Sequence, residues 1–153
     1  MAMTRILMVC LGNICRSPLA HGILESKLPN DLFYVDSAGT SNYHIGERPD
    51  RRSIAVAKTY GIDISHQTGR QFSLNDFDAF DIIYAMDQSN YDNIVRLARS
   101  SEDIAKVRKI LDVDSGLLNK NVPDPYYGDR SDFEHVFSLL DSVCLKIAEQ
   151  LTS

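Results

Sequence analysis

The stretch from Val9 to Pro18 reads V-C-L-G-N-I-C-R-S-P. Cys10 supplies a thiol that can attack. Arg16 supplies a planar guanidinium that donates paired hydrogen bonds to an oxyanion. Between them, the N–H groups of Leu11, Gly12, Asn13, Ile14, Cys15 and Arg16 can wrap around phosphate oxygens as a nest. Ser17 and Pro18 read as the start of a helix, whose positive end would face the same anion. A thiol attacks only as its thiolate, and a helix N-terminus and a neighbouring arginine both favour that form. The same preorganised donors would stabilise charge on a phosphoryl group in transfer. Gly12 suits a tight turn with its N–H inward. Asn13 suits left-handed backbone, or an amide that ties the loop to itself. This is the equipment for nucleophilic displacement at phosphorus.

The elements around this loop agree with that chemistry. Arg5 to Val9 is a nearly all-apolar run, as expected of a strand covered on both faces. Ser17 to Leu28 has helical spacing at Leu19, Ile23, Leu24 and Leu28 and stops at Pro29. Further strands are predicted at Phe33–Ser37, Asp81–Ala85 and Val107–Leu111. Further helices are predicted at Arg51–Tyr60, Gln88–Ser100 and Ser131–Leu151. The last carries an apolar stripe through Phe133, Val136, Phe137, Leu140, Val143, Cys144 and Ile147. Alternating strands and helices imply an α/β domain on a parallel sheet. In such sheets a ligand sits beyond the carboxyl ends of the strands, which is where Cys10 follows the first strand.

The whole chain narrows the class. Its 153 residues read as a single domain, 1–153, able to bury a core without metals or disulfides. A net charge of −5 argues against nucleic acid or an anionic membrane as main partner. The short apolar N-terminal run lacks signal-peptide architecture, and no stretch reaches bilayer-spanning length. An odd count of three cysteines favours free thiols in a reducing compartment, so a cytoplasmic location is expected. Cys144, within a helical pattern, reads as a small buried hydrophobe.

C-L-G-N-I-C-R-S-P resembles the signature of the low-molecular-weight protein tyrosine phosphatases. Asp124-Pro125-Tyr126-Tyr127-Gly128-Asp129 resembles that family's general-acid loop, and D-S-A-G-T, Y-H-I-G and F-D-I-I-Y-A-M-D match between them. The resemblance covers essentially the whole chain. It implies a three-layer α/β/α fold with a central four-stranded parallel sheet, flavodoxin-like and of the phosphotyrosine protein phosphatase I type. It implies catalysis by Cys10, Arg16 and Asp124 without metal or other cofactor. Cys10 would form a phosphocysteine and Asp124 would act as acid, then base. By its surroundings alone, Asp129 or Asp132 competes with Asp124; the resemblance favours the carboxylate directly before proline.

The resemblance also implies that the loop from Leu11 to Ser17 binds phosphate, and that Ser17 assists the Cys10 sulfur as a leaving group. Tyr43, Tyr126 and Tyr127 would wall a slot for a flat aryl phosphate. Cys15 would trap an oxidised Cys10 as a reversible disulfide. His66 would support Ser17 through hydrogen bonds. The sequence departs from the family at His21, where many members carry glutamate; a protonated His21 would repel a protonated His66. Ile14 stands where protein-arginine phosphatases of this fold carry threonine. Asp81 to Leu97 lacks the cysteines that arsenate reductases of this fold require. The implied partners are tyrosine-phosphorylated proteins and a tyrosine kinase that produces them. The rival readings are a phosphatase for phosphoarginine or small aryl phosphates, and a non-catalytic phosphotyrosine-binding module.

Overall fold

The computed structural model describes residues 3–153; Met1 and Ala2 of the expected 1–153 domain lie outside the described residues. Four parallel strands form one sheet: β1 (Thr4–Cys10), β2 (Phe33–Gly39), β3 (Ile82–Ala85) and β4 (Val107–Lys109), in the order β2-β1-β3-β4. The helices are α1 (Arg16–Lys27), α2 (Arg51–Thr59), α3 (Asn75–Ala79), α4 (Gln88–Val95), α5 (Ser101–Lys106) and α6 (Arg130–Thr152). The fold is three-layered α/β/α.

Period-two alternation divides β1 between the two faces. Ile6, Met8 and Cys10 pack in one core with side chains of α1, α2 and α6. Leu7 and Val9 pack in the other with Phe77 of α3, Ile94 of α4 and Phe72. That is why the strand reads as an unbroken apolar run. The α6 stripe is buried throughout, from Phe133 to Ile147. Each such side chain is worth roughly 1.5–3 kcal/mol relative to exposure, so packing holds this helix more than intrinsic propensity does.

Two elements differ from their sequence patterns, and the short α3 was not expected at all. The helix expected over Gln88–Ser100 ends at Val95, and a separate α5 begins at Ser101. Ser100 caps α5 by accepting from the Asp103 N–H at 3.2 Å, so its side chain starts a new helix where helical propensity would continue the old one. The strand expected over Val107–Leu111 stops at Lys109 and becomes a 3₁₀ turn over Ile110–Val113, whose first two residues are buried. Their burial produces the apolar pattern without strand pairing.

From β1 the chain crosses to β2 on one side and later to β3 on the other. The carboxyl end of β1 is therefore the switch point of the sheet, and Cys10 stands there. Among the described residues, no helix is long and apolar enough to cross a membrane.

Candidate active site

Cys10 ends β1, paired in register with Gly39 of β2, and α1 begins at Arg16. Three neighbours hold the connecting loop from outside. Thr40 N donates to Cys10 O at 2.9 Å, Ser41 N to Leu11 O at 2.9 Å, and Asp50 N to Ile14 O at 2.7 Å. Gly39 permits this approach, since a Cβ there would sit 2.8 Å from Leu11 O and 3.1 Å from Asn13 N. Among the described residues, nothing accepts from the N–H groups of Gly12, Ile14 or Cys15, and α1 has no side-chain cap. These donors and the positive end of the helix are thus left available to an anion.

Asn13 holds the loop's special geometry. Its φ is 58°, the left-handed region that asparagine tolerates better than most residues. Its Nδ2 donates to Ser17 Oγ at 2.9 Å, and its Oδ1 accepts from Arg70 N at 3.0 Å. Its own N–H reaches Cys10 Sγ at 3.3 Å, and Ser17 Oγ lies 3.0 Å from the same sulfur. Two hydrogen-bonding groups therefore converge on the thiol. Gly12 has a second reason besides the turn. A Cβ there would meet the His44 ring at 2.9 Å, so glycine makes room for that imidazole.

Arg16 is buried at 3% exposure. Its Nη1 donates to Asp87 Oδ2 at 2.6 Å and to Val122 O at 3.0 Å, while Nη2 lies 4.0 Å from Asp124 Oδ2. Burial works against the guanidinium charge. Cys10 and the hydrogen-bonded Asp87 outweigh it and hold Arg16 above the ordinary arginine value. Asp87, just after β3, also caps α4 by accepting from Asn90 N at 2.8 Å. Sequence reasoning gave Asp87 no role. Its signal was a carboxylate directly beyond the strand that pairs with β1.

These groups sit in a cleft of about 300 Å³ lined by Cys10, Arg16 and Asp124 with Tyr43, Tyr126 and Tyr127. Leu11, Gly12, Ile14 and Cys15 also reach it, as does His44, which sequence reasoning missed although it follows Tyr43. His44 Nδ1 lies 2.9 Å from Glu47 Oε2. Asn13 and Ser17 lie beneath the cleft floor, buried at 3% and 0% exposure. Tyr126 and Tyr127 meet edge to face at 4.9 Å. Asp129 and Asp132, the competing carboxylates, form the capping box of α6 instead. A Cβ at Gly128 would push the Asp132 carboxylate away from the Asp129 N–H it accepts from.

The expected support of Ser17 by His66 needs correction. His66 is exposed, and the hydroxyl of Ser17 is engaged by Asn13 and Cys10. Its neighbour Gln67 is the buried one and donates to Pro18 O at 3.1 Å. His21 is buried, with Nδ1 3.2 Å from Ser37 Oγ and Nε2 3.5 Å from Glu25 Oε2. The bond to His21 holds Glu25 below the usual carboxylate range, against partial burial, with His66 adding to the effect. Glu25, one helical turn on, thus restores the carboxylate that position 21 lacks.

Cys10 and Cys15 are both free thiols. Cys15 is pushed up to about 12, chiefly by burial and then by Asp50, Cys10 and Asp124. Among the described residues, no cluster of three or more His, Cys, Asp or Glu is arranged to hold a metal ion.

Residues 5–153 match the family model described as low molecular weight phosphotyrosine protein phosphatase. The chain belongs to that family. It is 40% identical over 136 residues to the low molecular weight phosphotyrosine protein phosphatase of Saccharomyces cerevisiae, covering 84% of this chain and 83% of the relative. To the Homo sapiens protein of the same name it is 38% identical over 150 residues, covering 95% and 94%. Among solved structures, a protein tyrosine phosphatase from Entamoeba histolytica with Hepes in its active site superposes with a TM-score of 0.91. That match is at 34% identity and covers 97% of each chain.

Proposed function

We propose that this phosphatase-family chain hydrolyses phosphotyrosine in proteins through a phosphocysteine on Cys10. One observation carries the reading: a single cleft holds Cys10 and Arg16 at its floor, Asp124 at its side and tyrosines at its rim. The Cys10 thiolate attacks phosphorus, and the bond from phosphorus to the aryl oxygen breaks. Asp124 gives its proton to the departing phenolate. Water then attacks the phosphocysteine and passes a proton to Asp124. The sulfur leaves as thiolate, held by the Ser17 hydroxyl at 3.0 Å and the Asn13 N–H at 3.3 Å. Arg16 and the loop N–H groups hold the nonbridging oxygens through both steps. The pairing with Asp87 occupies Nη1 and orients the guanidinium so that Nη2 serves the cleft.

The tyrosine rim favours a flat aryl ester, and Ile14 offers no hydroxyl to a guanidinium-bound phosphate. The proposal includes action on phosphotyrosyl proteins made by a tyrosine kinase, in the cytoplasm. A first test uses p-nitrophenyl phosphate with chelator present. Wild type should turn over, and acid quench should trap a phosphoryl group on the peptide containing Cys10. Cys10→Ser should lower turnover by on the order of 10⁴-fold or more. Retained turnover in that variant would overturn the mechanism.

A further inference from the structure

Before Asp124, Val122 donates to Met86 O and accepts from Arg16; after it, the segment is held from outside by one side chain. Residues 126–129 are exposed, and among the described residues the hydrogen bonds reaching 125–128 from other elements come from Arg52. Arg52 Nη2 donates to Tyr126 O at 2.9 Å and Nη1 to Gly128 O at 3.3 Å. The same guanidinium grips Asp50, Nε to Oδ1 at 3.0 Å and Nη2 to Oδ2 at 2.9 Å. It also lies over the Phe133 ring at 4.4 Å, in the first turn of α6. Asp50 caps α2 through Arg52 N at 2.8 Å, and its own N–H donates to Ile14 O in the phosphate loop. At the other end, Tyr126 N donates to Asp124 Oδ1 at 3.1 Å. A continuous path thus runs from the phosphate loop through Asp50, Arg52 and Tyr126 to the Asp124 carboxylate.

We infer that Arg52 is a positioning residue for Asp124, a strap that sets the acid's place relative to Cys10. The inference rests on the reading of Asp124 as the acid. Arginine suits the task because its fork presents several donors in one plane and its face stacks on an aromatic ring. Lysine keeps the charge but has three donors on one atom, against the four bonds of the Arg52 fork.

The leaving group separates this role from two others. An electrostatic attraction of Arg52 for phosphate, or a general contribution to folding, would affect all aryl phosphates alike. A misplaced acid harms only those whose leaving group needs a proton. We would compare kcat/KM for phenyl phosphate and 2,4-dinitrophenyl phosphate. Arg52→Met should lower the first about 10- to 100-fold and the second about 3-fold or less, because dinitrophenolate departs unprotonated. Arg52→Lys should resemble the methionine variant. In an Asp124→Asn background, adding Arg52→Met should change neither substrate further, since both changes act on one step.

Equal losses on both esters, full recovery with lysine, or a further loss in the Asp124→Asn background would each overturn the inference. If circular dichroism finds the methionine variant unfolded, Arg52→Gln carries the same comparison. Wild type that turns over neither ester would instead overturn the phosphatase reading itself.

Discussion

The phosphate loop and the acid segment are built on opposite plans. From Asn13 to Ser17 the loop is buried, its carbonyls are held from behind, and Asn13 ties it to Ser17 and Arg70. The acid segment is exposed from Tyr126 to Asp129 and fastened there by the Arg52 fork and the cap of α6, with Val122 upstream held by Met86 and Arg16. A cradle for a dianion must be preorganised, because any donor that has to reorient weakens both binding and transition-state stabilisation. An acid that meets substrates of different size can stand in the open, provided one strap sets its height. The first region therefore resists change through many small bonds, and the second depends on a few.

That contrast gives each region its own experimental signature. With the nucleophile left in place, the largest effect belongs to the acid. Asp124→Ala should lower kcat/KM on phenyl phosphate by about 10²–10³-fold while leaving thermal stability near wild type. Equal loss on 2,4-dinitrophenyl phosphate would mean that the exposed segment does more than supply a proton. Next comes the loop. Asn13→Ala places a residue less tolerant of left-handed backbone at φ 58° and removes the bonds to Ser17 and Arg70. Urea unfolding should report a loss of about 2 kcal/mol, roughly 30-fold in the folding constant. Its kinetic loss should be equal on the two esters, unlike that of Asp124→Ala.

The last signature needs no substitution and concerns Cys15, whose thiol is pushed up to about 12 by burial and nearby acids. A resolving thiol attacks as its thiolate, and below that value the thiolate fraction grows as pH rises. Closure of a Cys10–Cys15 disulfide after mild peroxide should therefore speed up roughly tenfold per pH unit between about pH 6 and 9. Peptide mapping by mass spectrometry reads it directly. A rate that is flat or falls with pH would show that the loop opens before the bond forms, and would weaken the picture of a rigid cradle.

Much of this was legible because it is local. Cys10, Arg16 and the N–H groups between them lie within one strand–loop–helix passage, so spacing alone groups them. The strands and helices flanking that passage follow from apolar periodicity. What stayed hidden came from distant chain segments. Asp87 reaches Arg16 because β3 pairs with β1, and Arg52 reaches the acid segment because α2 packs beside α6. His66 carried a matching sequence position yet lies exposed, while Glu25 takes up the charge that His21 displaced. Gly12 read as a turn residue, and the structure adds that it leaves room for His44.

The residue string was enough to group a thiol, a guanidinium and the N–H groups between them, and to set four strands among helices, since covalent neighbours and side-chain period encode these directly. Which carboxylate orients Arg16, which arginine straps Asp124, and which of three nearby aspartates remains free for the cleft followed from packing. Those choices depend on through-space distances that sequence separation does not contain.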